Sequence, residues 1–124
     1  MSQPLDMNPV VHLELHTPDL PAARCAYAQL CGWPAQKLGT AAREYTAFDL
    51  GGRIGGGVVE CGTARALWLP YVQVPELGAA LARAEGLGAR VLLGPREGAA
   101  GWRAVVSTEA GGELAFWQPK EWCA

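Results

Sequence analysis

The sequence predicts an α+β fold: two βαβββ modules that form a curved, eight-stranded, open barrel-like sheet with a central cleft. Two observations lead to this prediction. Residues 10–20 alternate apolar and polar side chains and then reach Pro18 and Asp19, which is the pattern of a strand that runs into a helix. Residues 75–80 repeat the pattern of residues 18–23 at an offset of 57. The chain therefore carries one strand–helix unit twice.

The 124 residues are expected to form a single domain, 1–124, with a first module over 10–61 and a second over 67–119. The first helix is predicted over 20–31, with Asp19 as its N-cap and Gly32 as the left-handed residue that ends it. Four residues at helical spacing are expected on its buried side: Ala23, Tyr27, Leu30 and Cys31.

The rest of the first module is predicted to be three strands, over 35–38, 43–50 and 53–61. The last of these strands contains an unusual run of three glycines, Gly55, Gly56 and Gly57. Residues without side chains inside a strand indicate a bulge, or a position that another backbone or a ligand approaches closely.

The second module is predicted to repeat this order. Its strands are expected over 69–74, 90–93, 102–107 and 113–118. Gly94 and Pro95 are expected to stop the 90–93 strand, because proline has no N–H to give to a ladder. The second helix is predicted over 76–85, and its buried face is expected to consist of Leu77, Ala80, Leu81 and Ala84.

The charge and composition of the chain exclude several classes of partner. Ten Lys and Arg against twelve Asp and Glu give a formal charge of −2, so we expect no nucleic acid partner. No apolar run approaches the roughly 20 residues of a membrane span, and no signal peptide is evident, so we expect a cytoplasmic protein. The four cysteines lack C-x-x-C spacing and are expected to be reduced and mostly buried: Cys25, Cys31, Cys61 and Cys123.

Strand alternation assigns one face of each strand to the cleft and the other to the helices. The ligand pocket is expected to contain six residues: His12, Glu14, Glu60, Tyr71, Gln73 and Trp117. Four more are expected on the same faces: His16, Val58, Leu69 and Ala115. The opposite faces, which cover the helices, are expected to present Leu13, Leu15, Val59, Val72, Leu114 and Phe116.

Short motifs accompany the paired layout. They are His12 seven residues before Asp19, Tyr27 followed by Gly32 and Trp33, Gly-Gly-Val-Val-Glu over 56–60, Trp-Leu-Pro-Tyr-Val over 68–72, and Ala-Phe-Trp-Gln-Pro over 115–119. In this order they resemble the vicinal oxygen chelate superfamily, the glyoxalase, bleomycin-resistance and extradiol-dioxygenase group. The likeness spans nearly the whole chain and is strongest to the glyoxalase-like branch, in which many proteins have lost the metal site.

The resemblance implies one metal ligand on each of the first, fourth, fifth and eighth strands. His12 and Glu60 match the first two positions, whereas Leu69 and Ala115 occupy the others and have no lone pair to give. A site with two protein ligands binds a divalent metal weakly. We therefore expect no cofactor. The alternative is a divalent metal on His12 and Glu60, and a metal-free hydrogen-bonded pair of these two residues is also open.

Three functions remain open. The first is a small-molecule binding protein with an incomplete metal site and an unknown ligand, which the missing ligands favour. The second is an enzyme of isomerase, lyase or dioxygenase type that uses His12 and Glu60 with a metal, to which Glu14 or His16 adds a third ligand, or as an acid–base pair. The third is an interaction module. A homodimer is also predicted, because resembling proteins of this length usually pair and apolar residues need cover: Trp33, Trp68 and Trp122.

Overall fold

The structure is a computed structural model, and it describes residues 7–40, 43–98 and 100–120. The described residues form eight strands and two helices in the order βαβββ, twice, which confirms the predicted α+β class and its two modules. Residues 11–70 make one compact unit, and residues from 71 onward, with the short segment before Val11, make the other. Neither helix has the length and apolar character that crossing a membrane requires.

The first module is a four-stranded sheet with one helix. Its elements are β1 (Val10–Thr17), α1 (Leu20–Cys31), β2 (Ala35–Thr40), β3 (Arg43–Phe48) and β4 (Gly55–Glu60). The strand order is β2–β3–β4–β1, in which β4 and β1 are parallel and the other pairs are antiparallel.

The second module repeats this arrangement. Its elements are β5 (Leu67–Gln73), α2 (Leu77–Gly86), β6 (Arg90–Glu97), β7 (Gly101–Ser107) and β8 (Glu113–Pro119). The strand order is β5–β8–β7–β6, with β5 and β8 parallel. β6 runs past Gly94 and Pro95, so the predicted stop there was wrong. It is the last strand in the order and its register with β7 shifts twice, and such an irregular edge strand tolerates proline.

α1 begins at the predicted residue, and α2 begins at Leu77, one residue after its predicted start. Asp19 Oδ1 accepts a hydrogen bond of 3.0 Å from the Ala22 amide, and Gly32 ends α1 in the left-handed region with φ 70°. Glu76 caps α2 in the same way as Asp19 caps α1. Both caps fix the first turn of a helix against the end of the preceding strand.

A second polar side chain supports the start of each helix. Glu60, at the end of β4, accepts a 2.8 Å hydrogen bond from the Leu20 amide. Gln118, near the end of β8, accepts one of 2.7 Å from the Leu77 amide. Because a carboxylate and a neutral amide perform the same task at equivalent places, this contact of Glu60 is part of the fold.

The buried face of α1 differs from the prediction in its last turn. Ala23 is buried and Tyr27 packs against the core, as expected, but Leu30 is 78% exposed and Cys31 is also exposed. The chain turns at Gly32 and places Trp33 on Tyr27, with their rings stacked at 5.7 Å. Trp33 therefore covers the position that Leu30 and Cys31 were expected to cover.

Other burial predictions were also wrong. Cys25 is exposed and Cys61 only partly buried, while Cys123 lies outside the described residues. Trp33 and Trp68 are half-buried in the core of the first module, so they give no reason to expect a partner surface. Trp122 lies outside the described residues.

Candidate functional site

The first module carries three ionisable side chains on one face of β1. His12, Glu14 and His16 alternate with Leu13 and Leu15 along the strand. Leu15 is buried in the core beside α1, so the polar residues face the other side of the sheet. Glu14 is only 4% exposed, although it is the charged member of the group. A carboxylate at that depth requires hydrogen-bond partners.

Two partners of Glu14 are evident. Its Oε1 is 2.8 Å from His16 Nε2, and its Oε2 is 3.4 Å from the hydroxyl of Tyr45 on β3. The same hydroxyl is 2.9 Å from His12 Nε2. We call these four residues, His12, Glu14, His16 and Tyr45, the β1 polar network. Both imidazole side chains remain about a quarter exposed, at 23% for His12 and 24% for His16.

The hydrogen-bond partners in the network indicate which atom carries each proton. Ionised Glu14 has no proton to give, so His16 Nε2–H donates to Oε1 and the Tyr45 hydroxyl donates to Oε2. Tyr45 has then used its only proton, so its oxygen accepts from His12 Nε2–H. Both imidazoles are therefore protonated at Nε2, and in each neutral ring Nδ1 is the acceptor nitrogen.

The glycine run of β4 makes room for this network. Parallel pairing places Gly55 beside His12 and Gly57 beside Glu14. A Cβ on Gly55 would lie 2.9 Å from His12 Nδ1, and one on Gly57 would overlap the Tyr45 hydroxyl. Of the two predicted uses of the run, close approach is the correct one. The approaching groups are side chains at Gly55 and Gly57, and the Phe48 carbonyl oxygen with the Leu50 side chain at Gly56.

The predicted orientation of β4 was wrong. Leu15 and Val58 are side by side and both belong to the core beside α1, so Val58 and Glu60 face the helix. The register also places Glu60 beside Thr17, five residues along the strand from the neighbour of His12. The expected pair of His12 and Glu60 is therefore replaced by two separate arrangements, and Glu14 is the carboxylate that contacts the histidines.

The second module has its own group of polar and aromatic side chains on one sheet face. Tyr71 is buried, its ring lies 6.4 Å from that of Trp117, and its hydroxyl accepts a 2.8 Å hydrogen bond from Arg103 Nη1. Gln73 pairs with Trp117 in the ladder and is exposed. Phe116 packs in the core beside α2, which is the orientation of β8 that the alternation predicts. The role of these residues as a ligand pocket stays a prediction.

Solved structures of similar fold superpose on most of this chain. A hypothetical protein from Bacillus halodurans superposes with a TM-score of 0.68 at 11% identity, over 96% of this chain and 99% of that one. Methylmalonyl-CoA epimerase from Mycobacterium tuberculosis gives 0.59 at 14% identity, over 90% and 88%. A Streptomyces coelicolor methylmalonyl-CoA epimerase variant in complex with 2-nitronate-propionyl-CoA gives 0.61 at 14%, over 96% and 99%. This chain has the vicinal oxygen chelate fold.

At such low identity the likeness shows the fold alone. No protein-family model matches the chain, and no curated protein sequence matches it significantly. The function of the chain must therefore be inferred from its own side chains.

The side chains at the four expected positions do not supply the metal ligands that the resemblance to the vicinal oxygen chelate superfamily implies. His12 Nε2 is used by Tyr45, and Glu60 holds the start of α1. Leu69 and Ala115 are buried and apolar. Among residues 7–40, 43–98 and 100–120, no group of three His, Cys, Asp or Glu side chains has the arrangement of a metal site. His12, Glu14 and His16 share one face, but the Nε2 atoms of the two histidines are directed to Tyr45 and to Glu14 itself.

Sequence reasoning missed Tyr45 and Arg103 as members of these two groups. Arg103 lies on β7 opposite Trp117, a register that only the folded ladder reveals. Tyr45 reaches β1 across the glycines of β4. The one signal in the sequence was the glycine run itself, because it marks a place where large side chains cross a strand.

Proposed function

We propose that this chain binds a small polar molecule at the β1 polar network, through a hydrogen bond to His16. The observation that carries the proposal is the contact of 2.8 Å between the buried Glu14 carboxylate and the partly exposed His16 ring. Glu14 fixes the ring orientation and holds the proton on Nε2. A polar group that is already oriented in the unbound protein loses little entropy when a ligand binds.

The expected ligand carries a hydrogen-bond donor. Nδ1 of neutral His16 accepts a hydrogen bond, so a hydroxyl or amine is the group it recognises. An epimerase of similar fold is bound to 2-nitronate-propionyl-CoA, which supports an organic metabolite as the class of ligand. The donor group of the ligand is inferred from His16 alone.

The test is a ligand-observed NMR screen of hydroxy and amino compounds, followed by calorimetry of the hits. Glu14→Gln removes the charge that holds His16 and is expected to weaken binding about tenfold or more, since a charged hydrogen bond contributes roughly 1.5 to 3 kcal/mol. Glu60→Gln is the matched control, because it makes the same chemical change at the start of α1. A screen without hits, or hits that Glu14→Gln leaves unchanged, would contradict the proposal.

A second candidate function is acid–base catalysis, now with Glu14 in place of Glu60. A carboxylate that orients an imidazole is the usual arrangement of a histidine general base, and His16 is exposed enough to meet a substrate. Incubation with methylmalonyl-CoA in D₂O tests this idea. Deuterium at the carbon between the two carbonyl groups, lost in His16→Gln, is the expected result. Exchange no faster than in the buffer alone would exclude this substrate class.

The predicted homodimer remains a proposal with a different basis. Three large apolar residues are exposed at the β6 end of the second module: Val91, Leu92 and Trp102. Exposed apolar residues on an edge strand and its neighbour are suited to a subunit contact. Light scattering at micromolar concentration is expected to give twice the chain mass, and a monomer mass would end this proposal.

A further inference from the structure

A cavity of about 550 Å³ lies in the second module, lined by α2 on one side and by β7 and β8 on the other. Its volume is in the range of small-molecule sites. The lining is mostly apolar and includes Ala79, Ala84, Ala89, Val106, Leu114 and Phe116. Nothing in the β1 polar network contributes to it, so it is a separate feature of the molecule.

The two helices show which residues of the modules are equivalent. Leu20 and Leu77 are the first residues of α1 and α2, and seven residues later the chain has Tyr27 in the first module and Ala84 in the second. Both side chains face the sheet of their own module.

The ends of the helices give a second equivalent pair. Each helix is followed by a glycine in the left-handed region, Gly32 with φ 70° and Gly88 with φ 90°. The residue after this glycine is Trp33 in the first module and Ala89 in the second. An aromatic ring is again matched by a methyl group.

The parallel strand pairs extend the comparison to the sheet. Leu15 of β1 lies beside Val58 of β4, and Val72 of β5, at the repeat offset from Leu15, lies beside Phe116 of β8. Val58 and Phe116 are therefore equivalent, and each faces its helix.

The next strand gives the third pair. Two residues before Val58 is Gly56, whose ladder partner on β3 is Phe48. Two residues before Phe116 is Leu114, whose ladder partner on β7 is Val106. Phe48 and Val106 are therefore equivalent.

In the first module these three aromatic rings pack against one another beneath α1. Tyr27 lies 5.7 Å from Trp33 and 6.1 Å from Phe48, and Trp33 lies 6.3 Å from Phe48. Their equivalents Ala84, Ala89 and Val106 all line the cavity. Leu114 and Phe116 are larger than their first-module equivalents and fill part of the space, but the cavity remains beside them. The cavity therefore lies where the first module has these rings.

We propose that this cavity is a binding site for a planar, uncharged aromatic molecule. The apolar floor suits a ring, because small-molecule sites are lined mainly by apolar side chains that bury the surface of the ligand. The rim carries Glu76, Arg83 and Glu109. The Glu76 carboxylate already accepts hydrogen bonds from the Gly78 and Ala79 amides, so Arg83 and Glu109 offer one charge of each sign to the guest, which favours no net charge on it. The site does not depend on the function proposed for the β1 polar network, and either stands if the other fails.

Indole is the probe that tests the site, with binding followed by protein amide shifts in NMR. The wild-type chain is expected to bind indole with shifts confined to α2, β7 and β8. Ala84→Phe restores a ring at the Tyr27-equivalent position and is expected to weaken indole binding at least tenfold. Ala82→Phe is the matched control, because Ala82 is exposed on the same helix and the change is expected to alter affinity less than twofold.

A second variant protects the test against misfolding of Ala84→Phe. Ala84→Leu fills less of the cavity and is expected to weaken indole binding by an intermediate factor. The proposal is overturned if indole does not bind, or if binding survives both substitutions at Ala84. It is also overturned if indole competes with self-association of the chain, because the cavity is then a contact between copies.

Discussion

The two modules share one backbone layout and fill it differently. Beneath α1 the sheet meets a packed group of aromatic rings, whereas beneath α2 small aliphatic residues leave a cavity. The helix caps, the left-handed glycines and the ladder registers are repeated in both. Backbone-directing residues thus specify the module, and side-chain volume is free to differ between the two copies.

The strand faces away from the helices differ just as much. Positions His12, Glu14 and His16 of β1 correspond, at the offset of 57, to Leu69, Tyr71 and Gln73 of β5. The first module therefore carries the ionisable network, while the second carries an aromatic and amide surface. We therefore assign polar chemistry to the first module, and apolar binding beneath α2 to the second.

The largest effect is expected from a substitution in the aromatic group beneath α1. Phe48→Ala removes a buried ring from the first module and is expected to lower the free energy of unfolding by about 3 to 5 kcal/mol. The equivalent Val106→Ala should cost less, because it removes fewer atoms beside an existing cavity. Urea titration followed by tryptophan fluorescence measures both.

Phe48→Ala also tests the interpretation of the cavity beneath α2. Because Phe48→Ala opens space beneath α1, it is expected to create a second indole site, with NMR shifts in the first module. Equal losses of stability in Phe48→Ala and Val106→Ala, or the absence of a new indole site, would show that the helix–sheet interfaces of the two modules are packed alike.

Gly57→Ala is expected to have an intermediate effect. The added methyl group overlaps the Tyr45 hydroxyl and lies 3.2 Å from His12 Nε2, so the variant should lose about 1 to 3 kcal/mol of stability. Gly62→Ala is the control, since a Cβ there meets nothing within 4 Å. The loss of stability caused by Gly57→Ala should be smaller in a chain that also carries Tyr45→Ala. An unchanged loss would show that the Tyr45 hydroxyl does not lie beside Gly57.

The smallest effect is expected at the starts of the helices, where the modules are most alike. Glu60→Ala removes the acceptor of the Leu20 amide and should cost about 0.3 to 1 kcal/mol. Gln118→Ala should cost a similar amount at Leu77, and Glu60→Gln should be nearly neutral because it keeps an acceptor. A much larger loss in Glu60→Gln would mean that its charge has another role.

Features that are local in sequence were predictable. The cap Asp19, the bounds of α1 and the left-handed Gly32 depend on a few adjacent residues, and all are present in the structure. The predicted orientation of β8 is also confirmed, since Phe116 packs in the core beside α2.

The orientation of β4 was not predictable, for a physical reason. Its first three residues are glycines without side chains, and Val58 and Val59 are apolar on both faces, so alternation gives no signal. The role of Glu60 depended on that orientation. Tyr45 was missed because its partners are 31 and 33 residues away in sequence and meet only through the β3–β4–β1 register.

Histidine-detected ¹H–¹⁵N NMR tests the central claim, that Glu14 organises the polar face of the first module. The chain has two histidines, so both rings are easily assigned. We expect both neutral rings to be protonated at Nε2, with a directly observable Nε2–H proton for His16 that disappears in Glu14→Gln and remains in Glu60→Gln. Protonation of His16 at Nδ1, or a signal that Glu14→Gln leaves unchanged, would contradict the account.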